Sequence, residues 1–396
     1  EIVDWSGDME DEDLIEREDM VVTVTQSGYI KRTALADFRA QKRGGKGLSG
    51  MATKDDDVVT TLFVANTHTQ LLFFTTDGMA YKLKCWRLPL GGRTAKGKAI
   101  VNILPIPVGV SIAAIMPVDR PEDDWDDLQI VFATSKGSVR RNRLSDFTNV
   151  KANGKIAMKF EGEDENTRLI NARICSEEDD VMLVTNSGRA IRFPVPEVRV
   201  FNSRASTGVR GVKLSGDDEV VSMSVIRHFE AGSDERASYL KMRRLMAGVT
   251  EDDAASEEEG NADSQLPQER YAEMSAAENL ILTITAKGLG KLSSSHDYPI
   301  RGRGGLGVTA WEKSMRGGEI VASFPVEGDD QIMLATSKGQ SIRVPVDGIS
   351  FRSRSAGGVR VFNTSNGEHV VSVARIADQT DEVEDDGGAE APASEE

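Results

Sequence analysis

Residues 181–192 read VMLVTNSGRAIR: an apolar strand, a turn ending at Gly188, and a second strand that opens with positive charge. Apolar and β-branched residues on both sides of Asn-Ser-Gly, with glycine able to take a positive φ, describe a β-hairpin. The unit recurs as VVTVTQSGYIKR (21–32), LLFFTTDGMAYK (71–82), QIVFATSKGSVRR (129–141), LILTITAKGLGK (280–291) and QIMLATSKGQSIR (331–343). The turn glycines Gly28, Gly78, Gly137, Gly188, Gly288 and Gly339 stand at intervals of 50, 59, 51, 100 and 51 residues. The long interval is one ordinary period plus about 49 residues, so an insertion interrupts the array and no seventh copy is needed.

A unit of about 51 residues with room for four short strands is the signature of one blade in a radial β array. Closing six such sheets into a ring limits exposed strand edges. The expected fold is all-β, with six four-stranded blades at 20–70, 71–128, 129–180, 181–229, 280–330 and 331–377. An acidic insertion at 230–279, partly helical through SDERASYLKMRRLMAG or disordered, separates blades four and five. A β-sandwich is the structural alternative, but it would not require a basic second strand in every copy.

Charge is distributed unevenly. Residues 1–20 hold ten acids and one Arg, 230–279 thirteen acids and five bases, and 378–396 nine acids and no base. The whole chain carries −16, so the remaining 307 residues carry a net +10. Residues 1–19 and 378–396 read as an acidic linker and a disordered acidic tail on a basic body. The opening EIVDWSGDMEDEDLIERED has neither an initiator Met nor a signal pattern, which reads as a piece of a longer cytosolic protein. No apolar run approaches the roughly 18 residues of a membrane span. The two cysteines, Cys85 and Cys175, read as core-filling thiols.

A glycine-bearing basic loop follows each hairpin: QKRGGKG (41–47), GGRTAKGK (91–98), KANGK (151–155), RASTGVRGVK (204–213), RGRGGLG (301–307) and RSAGGVR (354–360). Each blade thus carries Lys and Arg twice, on the second hairpin strand and on this loop. Equivalent positions in a radial array lie on equivalent parts of the rim, so the clusters predict a basic belt suited to a long polyanion. Its cations would neutralise phosphates, and its glycines would let the chain approach a sugar-phosphate surface. The expected rim residues are Lys31, Arg32, Lys82, Lys84, Arg93, Lys96, Lys98, Arg140, Arg141, Lys151, Lys155, Arg192, Arg204, Arg210, Lys291, Arg301, Arg303, Arg343, Arg354 and Arg360.

Familiar catalytic motifs fail in context. GKGLSG (45–50) and GRGGLG (302–307) fit G-x-G-x-x-G, but neither opens a helix after a strand. GRTAKGKA (92–99) has Ala99 where a phosphate-binding loop needs Ser or Thr for magnesium, and Ile100-Val101 reads as continuing strand. His68, His228, His296 and His369 are scattered without ligand spacing. The acid runs EDDWDD (122–127), EGEDE (161–165) and SEEDD (176–180) read as inter-strand loops. No catalytic residue and no metal site is expected.

Gln41-Lys42-Arg43-Gly44-Gly45-Lys46-Gly47 resembles the seven-residue box, usually written QRRGGRG, of the C-terminal domain of DNA gyrase A. Lys42 and Lys46 replace Arg, which keeps charge but gives up the planar fork. DLIEREDMVVTVTQSGYIKRT also resembles the entry to that domain's first blade. The resemblance implies a β-pinwheel, a propeller-like disc whose blades exchange strands and whose positive edge wraps double-stranded DNA, with residues 41–47 among the contacts. It further implies a cytoplasmic A2B2 holoenzyme formed with the N-terminal domain of the same polypeptide and with gyrase B. ATP and Mg2+ would be used by other parts of that type II topoisomerase, this piece itself being no enzyme and holding no cofactor. The topoisomerase IV counterpart and a propeller serving as a protein-interaction scaffold are the alternatives.

Overall fold

The computed structural model describes residues 11–25, 27–36, 57, 59–92, 95–160, 166–248, 266–338 and 340–376. The box at 41–47, Arg93, the acid run at 161–165, the turn glycine Gly339 and the acidic tail at 378–396 lie outside the described residues.

Six antiparallel sheets follow one another along the chain. In the second, Gln70–Thr75 pairs with Met79–Lys84 through the turn at Gly78, and Ile112–Val118 adds on the other side of Gln70–Thr75. The turn works because Gly78 sits at φ 85° and donates its N–H to the Thr75 carbonyl at 2.9 Å. A Cβ at Gly78 would lie 2.3 Å from the Met158 carbonyl oxygen, so only glycine fits. Buried threonines open these turns: Thr25, Thr75, Thr134 and Thr185 accept from the N–H groups of Tyr29, Met79, Ser138 and Arg189. Hydroxyl and glycine together close each hairpin from within its own sequence.

The fourth strand of each complete sheet is borrowed. Lys98–Ala99 pairs with Tyr29-Ile30, Lys155–Ile156 with Met79-Ala80, and Val209–Arg210 with Ser138-Val139. Val308–Thr309 and Val359–Arg360 do the same for the fourth and fifth sheets. Each repeat thus supplies the outermost strand of the sheet before it. The sixth sheet has three strands among the described residues, Ser341–Pro345, Gln331–Thr336 and Val370–Ile376.

At the other edge, the third strands of the second to sixth repeats pack each on the next around a hub, Val370–Ile376 of the last packs on Val59–Asn66 of the first, and the first and second repeats share an apolar core that includes Met20, Val22, Leu71 and Phe73. The array therefore closes on itself. Apolar cores lie between neighbouring sheets. One holds Phe74, Trp125, Phe132 and Phe147 between the second and third, with ring centroids of Phe74, Phe132 and Phe147 within 5.3 to 5.9 Å of one another. At roughly 1.5–3 kcal/mol per large buried side chain, these faces hold the disc together. Cys85 and Cys175 are free and buried, and burial pushes their thiols up to about 11 and about 12.

Between the fourth and fifth sheets, helices span Ser233–Met246 and Gln268–Ala277. Tyr239, Leu240, Leu266 and Met274 form their shared core, and His296 of the fifth repeat is wedged edge-on against Phe229 and Tyr239. Ile100-Val101, read from sequence as continuing strand, instead opens a 3-10 turn at Ile100–Asn102, because the borrowed strand ends at Ala99 and the N–H groups of Ile103 and Leu104 donate back to the Ile100 carbonyl.

Candidate nucleic-acid interface

The second-strand cations do not form the expected outer belt. Lys31, Arg140, Arg141, Arg192 and Lys291 are buried, with Arg140 and Lys291 at zero exposure. The cause is a regular set of carbonyls delivered by the next repeat. Arg32 Nε donates to the Leu88 carbonyl at 2.9 Å and Arg141 Nε to that of Val198 at 2.6 Å. Arg192 Nη1 donates to Ser295 at 2.8 Å, and Lys82 Nζ donates to the Thr148 carbonyl. One residue earlier on the strand, Lys31 Nζ donates to Gly92 at 2.9 Å and Arg140 Nη1 to Arg204 at 2.7 Å. A buried ammonium or guanidinium needs such partners, and the incoming chain has bare carbonyls that need donors. These cations staple blade to blade. Lys84, which pairs with Glu12 at 3.0 Å, and Lys82, which pairs with Glu122 at 2.6 Å, are likewise half-buried and engaged.

Lys291 is the extreme case. Its ammonium donates to the carbonyls of Ser353, Arg354 and Ala356 and lies 4.9 Å from the centroid of the Trp311 ring. Burial pushes its pKa down to about 7, with Asp297 opposing the shift. Between that value and the ordinary lysine value of 10.5 the unfolded chain binds more protons than the folded one. Stability should therefore rise with pH across that window, by at most about 1.4 kcal/mol per pH unit, and show no such dependence below it. Lys291→Met is expected to flatten the rise, read as the urea midpoint against pH.

Two loop arginines are staples as well. Arg354 is buried; its backbone N–H meets the Asp297 carboxylate at 2.6 Å, its Nε donates to the Asp297 carbonyl at 2.8 Å, and its Nη1 reaches the Thr309 carbonyl. Arg303 repeats the pattern on Glu197, at 2.7 Å to the carboxylate, and on the Arg210 carbonyl at 2.6 Å. An acid nine residues after one turn glycine and an arginine fifteen after the next is the signal in sequence that marks this pairing.

What remains on the outside is narrower. Lys96, Lys98, Lys151, Arg210, Arg301 and Arg360 are exposed, and all lie on the glycine-bearing loops or the borrowed outermost strands. Lys155 and Arg204 are half-buried on the same segments, Lys155 donating to the Asp146 carbonyl at 2.6 Å and Arg204 to that of Ile156 at 2.8 Å, and Arg343, on the second hairpin strand of the sixth sheet, is half-buried as well. Arg199, stacked 3.8 Å over Phe201, and Lys213 are also exposed. Lys213 closes the loop at 204–213 and Arg199 stands five residues before it, close enough for the repeat register to have included both. Among the described residues no cluster of His, Cys, Asp or Glu has the arrangement of a metal site, and no helix is long and apolar enough to cross a membrane.

Six radial sheets, five of which take their outer strand from the next repeat, define a strand-exchanging β-propeller. Within that class, the chain belongs to the family described as DNA gyrase C-terminal domain, beta-propeller, matched at residues 19–66, 69–119, 129–172, 179–227, 279–324 and 330–377. It is 43% identical to DNA gyrase A of Rickettsia bellii over 395 residues, 98% of this chain and 42% of that one. It is 46% identical to DNA gyrase A of Granulibacter bethesdensis, again over 98% of this chain and 42% of the relative. The chain thus spans about two fifths of the length of these relatives. Its fold matches a DNA gyrase A C-terminal domain at TM-score 0.62, with 22% identity over 91% of this chain and all of the other. It matches the C-terminal domain of DNA topoisomerase IV at TM-score 0.65, with 22% identity over 91% and 94% of the two chains.

Proposed function

We propose that this chain binds duplex DNA along its outer edge and bends it around the disc, as the DNA-wrapping part of a gyrase. One observation carries the reading: six exposed cations lie on the outermost strands and loops of successive blades, where a stiff polymer can follow them from one to the next. Bending duplex by 40–90° over a short site costs on the order of 1–6 kcal/mol, so distributed phosphate contacts suit the task better than one strong site. Contacts of this kind read backbone and deformability, and sequence preference should be weak.

The box belongs to the same reading. Borrowed strands begin 18 to 21 residues after the turn glycine of their own repeat, and the same offset from Gly28 falls directly at the end of QKRGGKG. In sequence register, residues 41–47 thus correspond in the first repeat to the outer basic loops of the others. In the holoenzyme, with the N-terminal domain of the same polypeptide, gyrase B, ATP and Mg2+, the wrapped segment would be passed through a break to leave negative supercoils in cytoplasmic DNA. The topoisomerase IV reading shares the fold; an intact box favours gyrase. Lys42→Ala, Arg43→Ala and Lys46→Ala together should abolish ATP-dependent negative supercoiling by the assembled enzyme and spare relaxation. Unchanged supercoiling would refute the role of the box.

A further inference from the structure

Three of the nine large apolar side chains exposed among the described residues stand within the basic rim: Leu90 at 66% exposure, Ile156 at 39% and Leu306 at 50%. Single exposed leucines need no explanation in general. These differ in how their backbones are fixed. Leu306 and Gly307 present their carbonyls to the Arg189 guanidinium at 3.2 and 2.8 Å, while Gly304 N–H donates to Gly211 and Lys213 N–H to Gly305, at 2.7 and 2.8 Å. The Ile156 carbonyl accepts from Arg204, and Leu90 bridges to Arg32 while the Gly91 N–H donates to the Arg32 carbonyl at 3.0 Å. An apolar tip on a clamped backbone, framed by cations, thus appears at three separate blade junctions.

We propose that Leu90, Ile156 and Leu306 are wedges that enter the minor groove of the wrapped duplex and localise its bending. The inference rests on the DNA-wrapping reading. Apolar side chains that part a base step from the minor groove unstack it and kink the duplex toward its major groove, and flanking cations hold the phosphates on either side. A protein partner or a lipid surface would call for one contiguous apolar patch, whereas these tips are separated by basic loops. None of the three belongs to the apolar cores between the sheets, so polar replacement should leave the disc intact.

The test is the chain carrying Leu90→Ser, Ile156→Ser and Leu306→Ser, with a Met version of the same three sites as the conservative control. A linear duplex labelled at both ends reports bending by energy transfer, and 2-aminopurine at pyrimidine–purine steps reports unstacking. The serine variant should keep the wild-type salt slope of binding yet lose at least half of the end-to-end approach and the 2-aminopurine brightening, both of which the Met variant retains. Equal bending and brightening by wild type and serine variant would overturn the wedges alone. A wild type without salt-dependent duplex binding would overturn the wrapping reading beneath them.

Discussion

Alanine at Lys96, Lys98, Lys151, Arg210, Arg301 and Arg360 together is expected to lower duplex affinity about 10³-fold near physiological salt and to reduce the salt slope by about 5. Each phosphate contact releases condensed counterions and contributes roughly 0.9 to the slope of log affinity against log salt, so six lost contacts lower it by about 5. All six side chains are exposed, and surface substitutions usually change stability by about 0.5 kcal/mol or less. The denaturation midpoint should therefore move little. Filter binding or fluorescence anisotropy from low to moderate salt reads the slope directly. Retention of wild-type affinity and slope by this variant would remove the outer rim from the account.

The opposite pattern is expected for Asp180→Ala. Asp180 is fully buried and accepts from Arg192 Nε and from His228 Nδ1, each at 2.7 Å. The Arg192 guanidinium also donates to the carbonyls of Ser295 and Arg227, so this group joins the fourth blade to the fifth. Burial lowers the pKa of Arg192 and the Asp180 charge opposes that shift, which is the balance the substitution would upset. Removing one partner of a buried pair costs about 3–5 kcal/mol because the other charge stays buried without compensation. A fall in the urea midpoint with the DNA salt slope preserved would place the second-strand cations in the scaffold. A normal midpoint would show the staple to be dispensable.

These two outcomes separate cations that the sequence alone makes look alike. Lys31 and Lys98 are both lysines on β-strands of basic segments, yet one is buried on a carbonyl of Gly92 and the other is exposed. The deciding atoms for Lys31 arrive from 61 residues downstream, so no local pattern reveals them. The hairpins were legible because everything that closes them, the apolar strands, threonine and glycine, lies within a dozen residues. The borrowed strands were harder to read because Lys98–Ala99 and its equivalents are two residues long and pair with a distant repeat. In the insertion, the helix at Ser233–Met246 was readable from its apolar spacing, whereas the helix at Gln268–Ala277 announces itself only by Pro267 at its start. The outer loops, by contrast, carried their glycines and charges in plain view, and they hold the six exposed cations or lead into the strands that do.

The central claim is that duplex follows the outer edge of the disc. Its most direct test is to seal nicked circular DNA in the presence of the chain and to read the linking number after the protein is removed. The account predicts a shift in linking number that grows with bound protein and disappears in the six-alanine rim variant. Circles that bind the wild-type chain fully and still close with the linking number of free DNA would contradict it.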